Sequence, residues 1–438
     1  MATGTVLPRA FPLGSRINER GRLEVGGCDT IELAREFGTP AYVVAEDDLR
    51  TRARAFRDAA LQSGHPDLQI VFASKAFPCT AVLAVFAGEG LWCDVASAGE
   101  LHLALAARFA PERIVMHGNA KSLQELRAAL SCRLGAIVID NFDEIERLAG
   151  LLDERRSEAR AEGGEGTAGT GAQAVLVRVN PDVRGDTHEK ISTGHADSKF
   201  GFAFEQAPAA IERIRQVEDL QLLGVHAHIG SQLLELEPFR REIAQLARLG
   251  SFPMWDFGGG LGVRYTDFQP EPPAIDEWVA AIVGAAQENG IGHGARLLIE
   301  PGRSLCANAC VTLYTVEAVK PGLTRWVAVD GGMSDNLRPM LYAAPYEAYV
   351  ADRLGAGSEY VLAGKHCESG DVITHHAFLE DPRAGDVIVT PATGAYGYAM
   401  ANNYNGIPRP PVIFCRDGDA RVVVRRERLE DLTARDVD

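Results

Sequence analysis

The stretch LQIVFASKAFPCTAVLAVFAGEGLWCDVAS, residues 68–97, decides the fold. It opens on an apolar run, LQIVFAS (68–74), passes through TAVLAVFAGEG, whose apolar residues recur at helical spacing, and closes on a second apolar run, LWCDVAS (91–97). Strand, helix and strand in that order make one βα unit of a parallel sheet. Both runs are hydrophobic almost throughout instead of alternating, which marks strands buried on both faces.

Six further runs extend the pattern: RIVMHG (113–118), AIVID (136–140), AVLVRVN (174–180), LLGVHAHIG (222–230), MWDFGGG (254–260) and LLIEPG (297–302). Helical patterns lie between them, and DDLRTRARAFRDAAL precedes the first. Eight strands over about 250 residues predict a (β/α)8 barrel, with a doubly wound open sheet as the alternative. Polar residues at the strand ends favour the barrel, whose sites lie at that rim: Lys75, Asp94, His117, Asp140, Arg178, His228, Gly258 to Gly260 and Glu300.

Beyond residue 306 the pattern changes to β runs separated by Gly, Pro and Asp: CVTLYTVEAV, RWVAVDGG, YVLAGKHC, DVIVTPA, PPVIFCRD and ARVVVRRE. These predict a C-terminal all-β domain that also takes in the N-terminal segment through a strand near Ala41–Val44. The expected division is an N-terminal segment 1–44, a barrel 45–305 and a β domain 306–438. The Gly-rich, aperiodic segment 157–173 reads as a mobile surface loop.

Composition narrows the function. A net charge of −16 over 438 residues disfavours nucleic-acid binding, because phosphates would be repelled. No apolar run approaches the roughly 20 residues of a membrane helix, and the N-terminus lacks the apolar core of a secretory signal. The eight cysteines are scattered without metal-ligand spacing, so no metal is expected, and reduced thiols in the cytoplasm are.

Lys75 follows a buried strand, where desolvation lowers a lysine pKa and frees the amine to form a Schiff base. Most strand-end lysines simply reach solvent, so its neighbours decide. DFGGGLG (256–262) can bring backbone N–H groups to a phosphate without Cβ obstruction, and barrel phosphate sites often follow strands seven and eight. IEPGRS places Glu300 and Arg303 on the same rim. A carboxylate against a pyridine nitrogen would keep that ring a strong electron sink, although a surface ion pair is an equal reading. His228 could lie against the ring, with Ser231 donating to phosphate. A metal or sugar-phosphate barrel with Asp140, His117 and His228 as ligands is the unrelated alternative, and zinc at His226 and His228 lacks a third ligand nearby.

In this order, KAFP, CDVASAGEL, MHGNAKS, STGHADSKFGF, HAHIGSQL, DFGGGLGVRY, EPGRSL, VDGGMSDNLRPMLY, GKHCESGDV and GAYGYAMANNYNGIPRP resemble the fold-III pyridoxal-phosphate decarboxylases, specifically the diaminopimelate decarboxylase family, over most of residues 40–415. The resemblance implies decarboxylation of meso-2,6-diaminopimelate to L-lysine and carbon dioxide, the last step of lysine biosynthesis, through an aldimine and a quinonoid of pyridoxal 5'-phosphate. It assigns the aldimine to Lys75, ring stacking to His228, the pyridine nitrogen to Glu300, and the phosphate to Ser231, Gly258, Gly259, Gly260, Arg303 and Tyr396. Asp94, Arg178 and Glu100 match positions lining the pocket, Glu100 equally as a structural residue.

Substrate contacts are implied for Arg303, Arg338, Tyr342, Glu368 and Tyr396, and return of the proton for Cys367. A distal carboxylate with its ammonium suits an arginine and a carboxylate, Arg338 and Glu368. The cationic end of ornithine or arginine would be repelled by Arg338. The resemblance further implies an obligate homodimer in which the CESGD and GAYG segments complete the partner's site and Lys199 pairs with Asp371 across the interface. Ala343, Ala399 and Ala401 depart from the family pattern. The alternatives are a fold-III racemase, which a carboxylate at the pyridine disfavours, a decarboxylase of ornithine, arginine or a related precursor, and a non-catalytic homologue that binds the cofactor.

Overall fold

The computed structural model describes residues 7–161, 171–183, 198–355 and 357–437. Eight parallel strands follow one another around a barrel: Leu68–Ala73, Trp92–Val95, Ile114–Met116, Ala136–Ile139, Gln173–Asn180, Leu220–His226, Met254–Asp256 and Arg296–Ile299. The eighth pairs with the first, Ile299 opposite Ile70, and the fourth with the fifth, Ile137 opposite Val175, so no edge is left open. The open-sheet alternative is thereby excluded.

Alternate residues of each strand serve two cores. Val71, Trp92, Val115, Val138, Leu176, Met254 and Leu298 fill the barrel interior, whereas Ile70 and Phe72 pack outward into the larger core shared with the helices. The strands stop short of the apolar runs at their C-terminal ends. The sixth ends at His226 and the seventh at Asp256, because the glycines beyond turn the chain: Gly258 has φ +58° and Gly260 φ +123°. Residues just past the strands are therefore released to build the rim.

The second sheet runs Val372–Leu379, Ser358–Ala363, Trp326–Val329, Cys310–Lys320, Ala41–Ala45, Val412–Arg416 and Asp419–Val424. Ala41–Ala45 lies in its interior, antiparallel to Cys310–Lys320 and parallel to Val412–Arg416. The N-terminal segment thus joins the C-terminal sheet. Val372–Leu379 was not legible as a strand, since Thr374, His375 and His376 interrupt its apolar pattern. Part of the expected 157–173 loop is helix, because good helix formers carry Phe142–Ala161 onward; residues 162–170 lie outside the described residues. Among the described residues no helix is long and apolar enough to cross a membrane.

A buried clamp joins the sheet to the loop ahead of Arg338. The hydroxyl of Tyr314 donates to Asp335 Oδ1 at 2.5 Å, that of Tyr42 to the Asp335 carbonyl at 2.5 Å, and the Gly332 N–H to Oδ2 at 2.7 Å. Burial pushes the Asp335 carboxyl up to about 7.

Candidate active site

A cavity of about 610 Å³ opens at the C-terminal rim of the barrel, lined among others by Lys75, His117, Arg178, His228, Ser231, Arg303, Arg338, Tyr342 and Tyr396. Lys75 sits in a single 3-10 turn, Ser74–Ala76, after the first strand, and its Nζ lies 3.2 Å from Asp94 Oδ2 at the end of the second. Burial opposes the ammonium, but Asp94, with Tyr396 and Glu300 adding to its field, holds the Lys75 pKa above its ordinary value. This corrects the sequence expectation of a lowered pKa: desolvation is the largest single influence, and Asp94, Tyr396 and Glu300 together outweigh it.

His228 faces the cavity after the sixth strand, and its Nδ1 accepts the Gly259 N–H at 3.2 Å. Burial, reinforced by Lys75 and Arg178, holds the imidazole well below its ordinary pKa, so the ring is neutral. The glycine run lies directly behind it. A Cβ on Gly258 would stand 2.5 Å from the Ala227 carbonyl oxygen, and one on Gly259 2.1 Å from that of Glu300. Neither position accepts a side chain.

Arg303 begins a short helix after the eighth strand. It donates to Ser231 Oγ at 2.9 Å, bonds the Tyr265 hydroxyl, and lies over the Tyr396 ring at 4.9 Å. Tyr396 takes φ +63° and anchors its N–H on the Ala76 carbonyl, one residue past Lys75. The β-domain residue is thus fixed to the turn that carries Lys75, and Tyr396 lines the cavity of its own chain.

Arg338 opens the helix Arg338–Tyr342 and is buried between aromatics, 4.6 Å from the Tyr265 ring centre and bonded to the Tyr346 hydroxyl. Burial opposes its charge, but the tyrosines Tyr265 and Tyr346 raise its pKa. Ala343, where the family pattern has glycine, adopts φ +50° on the cavity wall.

Asp94 and Glu300 stand one layer behind the lining. Glu300 Oε1 lies 2.7 Å from His117 Nε2. Burial would raise the Glu300 carboxyl, yet His117 and His226 hold it well below the usual carboxylate range. Arg178 lies over the Phe200 ring and 4.0 Å from Asp140. Asp140, His117 and His228 do not gather into one ligand set; His117 groups instead with His226, Asp256 and Glu300. Glu100 accepts the Ala96 N–H at 2.7 Å across the first turn of its helix, the structural role.

Cys367 and Glu368 are exposed and lie outside the cavity of their own chain. The Asp371 carboxylate is engaged within its own chain, accepting the N–H groups of Met333 and His366 and pairing with His366 Nδ1 at 2.7 Å. Asp371 is buried within its own chain, and its pairing with Lys199 of the partner subunit stays a proposal. Tyr265 and Tyr346 were not singled out from sequence. Their signal was an aromatic within GVRY and another in APYEAY, visible only once the chain folds them around Arg338.

A family model described as the pyridoxal binding domain of the pyridoxal-dependent decarboxylases matches residues 46–307. Diaminopimelate decarboxylase of Bacillus subtilis is 44% identical, covering 97% of each chain. This chain belongs to the diaminopimelate decarboxylase family. Another family member, from Actinosynnema pretiosum, is 44% identical over 98% of this chain and 95% of its own. The solved diaminopimelate decarboxylase from M. jannaschii in complex with L-lysine superposes with a TM-score of 0.87 at 31% identity, covering 97% of this chain and 98% of that one. The family uses pyridoxal phosphate, and this rim fits the group: Asp94 Oδ1 beside Lys75 is buried without an aligned partner, and the glycine run has no space for side chains beside His228.

Proposed function

We propose that the chain decarboxylates meso-2,6-diaminopimelate to L-lysine and carbon dioxide with pyridoxal phosphate. The observation that carries the reading is a single cavity lined both by Lys75 and by the arginines Arg303 and Arg338. When bound, pyridoxal phosphate supplies an electron-accepting ring that takes up the pair left as the carboxylate departs from Cα.

The residues around it bind and orient. Lys75 Nζ would hold the cofactor carbonyl carbon, with Asp94 beside it, and the neutral His228 imidazole would pack against the ring. Ser231, Gly258, Gly259, Gly260, Arg303 and Tyr396 would receive the phosphate and Glu300 the ring nitrogen, with Arg178 in the pocket wall. Arg338, permanently cationic among its tyrosines, takes the distal carboxylate with Arg303, Tyr342 and Tyr396 nearby. Ornithine and arginine end in a cation there and are repelled.

Two roles remain outside the chain's own cavity: an anion for the distal ammonium and an acid to return a proton to Cα. Glu368 and Cys367 fit those roles from a second copy, which supports an obligate homodimer with shared sites. The eight cysteines are free thiols, in keeping with a reducing cytoplasm. We assign residues 1–44 to the β domain's N-terminal arm, 45–305 to the barrel and 306–438 to the β domain.

The test is the absorbance of the purified protein before and after borohydride, followed by carbon dioxide release from meso-diaminopimelate, ornithine and arginine. A reducible cofactor band and release from diaminopimelate are expected. Release from ornithine alone would refute the substrate.

A further inference from the structure

At the cavity floor, where His117 lines the cavity, the ends of the third, sixth, seventh and eighth barrel strands bring together four ionisable side chains, His117, His226, Asp256 and Glu300. One atom of each lies within 4.8 Å of the others. All four residues are at most 5% exposed. His117 Nε2, His226 Nε2, Asp256 Oδ2 and Glu300 Oε1 each lack a well-aligned hydrogen-bond partner. Burying such groups is costly unless they compensate one another, so the quartet has a purpose that its surroundings do not supply.

A metal ion is one way to compensate them. Ligands about one zinc at roughly 2.0–2.2 Å stand roughly 3.3 Å apart at the corners of a tetrahedron. His117 Nε2 and Glu300 Oε1 stand only 2.7 Å apart, which is the spacing of a donor and an acceptor. The distance favours a shared-proton cluster.

The charges then sort themselves. Two carboxyls buried within 4.8 Å of each other strongly disfavour double ionisation, so a proton stays with one of them. Burial, with Glu300 beside it, pushes Asp256 well above its ordinary range, while His117 and His226 hold Glu300 below its own. Burial also drives His226 down to about 3, leaving it neutral with one ring N–H to offer. Asp256 Oδ1 accepts the Gly258 N–H at 3.0 Å, which leaves Oδ2, buried without an aligned partner, available to Glu300. His226 Nε2 lies 3.5 Å from Glu300 Oε2. Around one anion stand a carboxylic acid and two imidazoles, with Lys75 and Arg178 facing the cluster from the rim. The Glu300 N–H is itself fixed on the Gly258 carbonyl at 2.7 Å.

We propose that Asp256, His117 and His226 form a ring of donors that keeps Glu300 anionic and aimed at the cofactor's ring nitrogen, acting as positioning residues for the decarboxylation. The proposal rests on the function given above and adds the means by which the ring nitrogen keeps its proton. A carboxylate lacking these donors would take that proton back, and the ring would accept the electron pair from Cα less readily.

The readout is the nitrogen-15 signal of the cofactor ring in holoenzyme reconstituted with labelled pyridoxal phosphate, measured with kcat and KM. Wild type is expected to show a protonated ring. Asp256→Leu and His117→Leu should move the signal toward unprotonated pyridine and lower kcat about 100-fold, the effect of losing one preorganised donor, with KM little changed. Asp256→Asn keeps a donor for Glu300 and an acceptor for Gly258. It should keep the wild-type nitrogen signal and recover turnover relative to Asp256→Leu. Unmoved signals in the leucine variants overturn the proposal, as does an asparagine variant as impaired as the leucine one. If the leucine variants fail to fold, the asparagine signal alone decides. Cobalt(II) added to cofactor-free protein should give no four-coordinate absorption band, and such a band, lost in Asp256→Leu, would establish the metal reading instead. Wild type without any cofactor band would refute the function itself, whereas a band with an unprotonated ring nitrogen would refute only the proposal.

Discussion

Lys75 is held charged by Asp94 at 3.2 Å, yet it must lose its proton before it can attack the cofactor carbonyl. Its raised pKa sets a direction for pH: loading of cofactor onto cofactor-free protein should quicken as pH rises toward the lysine's pKa. Asp94→Asn removes the carboxylate and leaves burial, which acts the other way. The half-maximal pH of loading, followed by absorbance, should fall in that variant; an unchanged value would show that Asp94 does not set the lysine's charge. Cys367→Ala should keep the cofactor band and lower kcat by about 100-fold or more, the contribution of a positioned acid, as measured by carbon dioxide release. At this scale the sequence revealed which side chains matter but not their balance. Desolvation could be read from the strand before Lys75, whereas the opposing pull of Asp94 depends on how the first and second strands pair, Ala73 opposite Asp94.

The rim depends on elements that end where glycine permits. Gly259 packs on the backbone of Glu300, and the Gly258 carbonyl receives the Glu300 N–H at 2.7 Å. Gly259→Ala should therefore lower the thermal midpoint, with overpacking of about 1–3 kcal/mol, and impair cofactor retention together with stability. A variant that retains cofactor at the wild-type midpoint would show that the turn can relax. The eight barrel strands were legible because continuous apolar runs are what two-sided burial requires. Val372–Leu379 was not, since His375 and His376, both exposed, fall where the pairing with Ser358–Ala363 shifts register and break the alternation expected of a strand. The helix to Ala161 was hidden by glycines just beyond it that lower the apparent periodicity of the whole segment.

Across the molecule, the cavity unites a lysine from the barrel with Arg338 and Tyr396 from the β domain, while Cys367 and Glu368 of the same chain lie outside it. Mixing Lys75→Ala with Cys367→Ala protomers tests whether the second copy completes the site. Each variant alone should be nearly inactive, and reassembled mixtures should recover roughly a quarter of wild-type turnover, because a two-fold dimer carrying both lesions keeps one intact site. No recovery would mean that the cysteine serves its own chain. Ordered motifs pointed to such sharing, but the hydrogen bonds that the Asp371 carboxylate accepts from Met333 and His366 did not follow from sequence, because they depend on how the two loops fold together.

The position of Ala41–Ala45 between Cys310–Lys320 and Val412–Arg416 sets a schedule for synthesis. At about 5–20 residues per second, this apolar strand leaves the ribosome on the order of tens of seconds before either neighbour exists. The barrel can close meanwhile from its own residues, but the strand waits with unpaired backbone, the condition that invites association with other nascent chains. Protection of this short segment, by a chaperone or by transient docking on the newborn barrel, becomes a requirement of producing the enzyme at all, and a chain broken off before residue 412 would never release it.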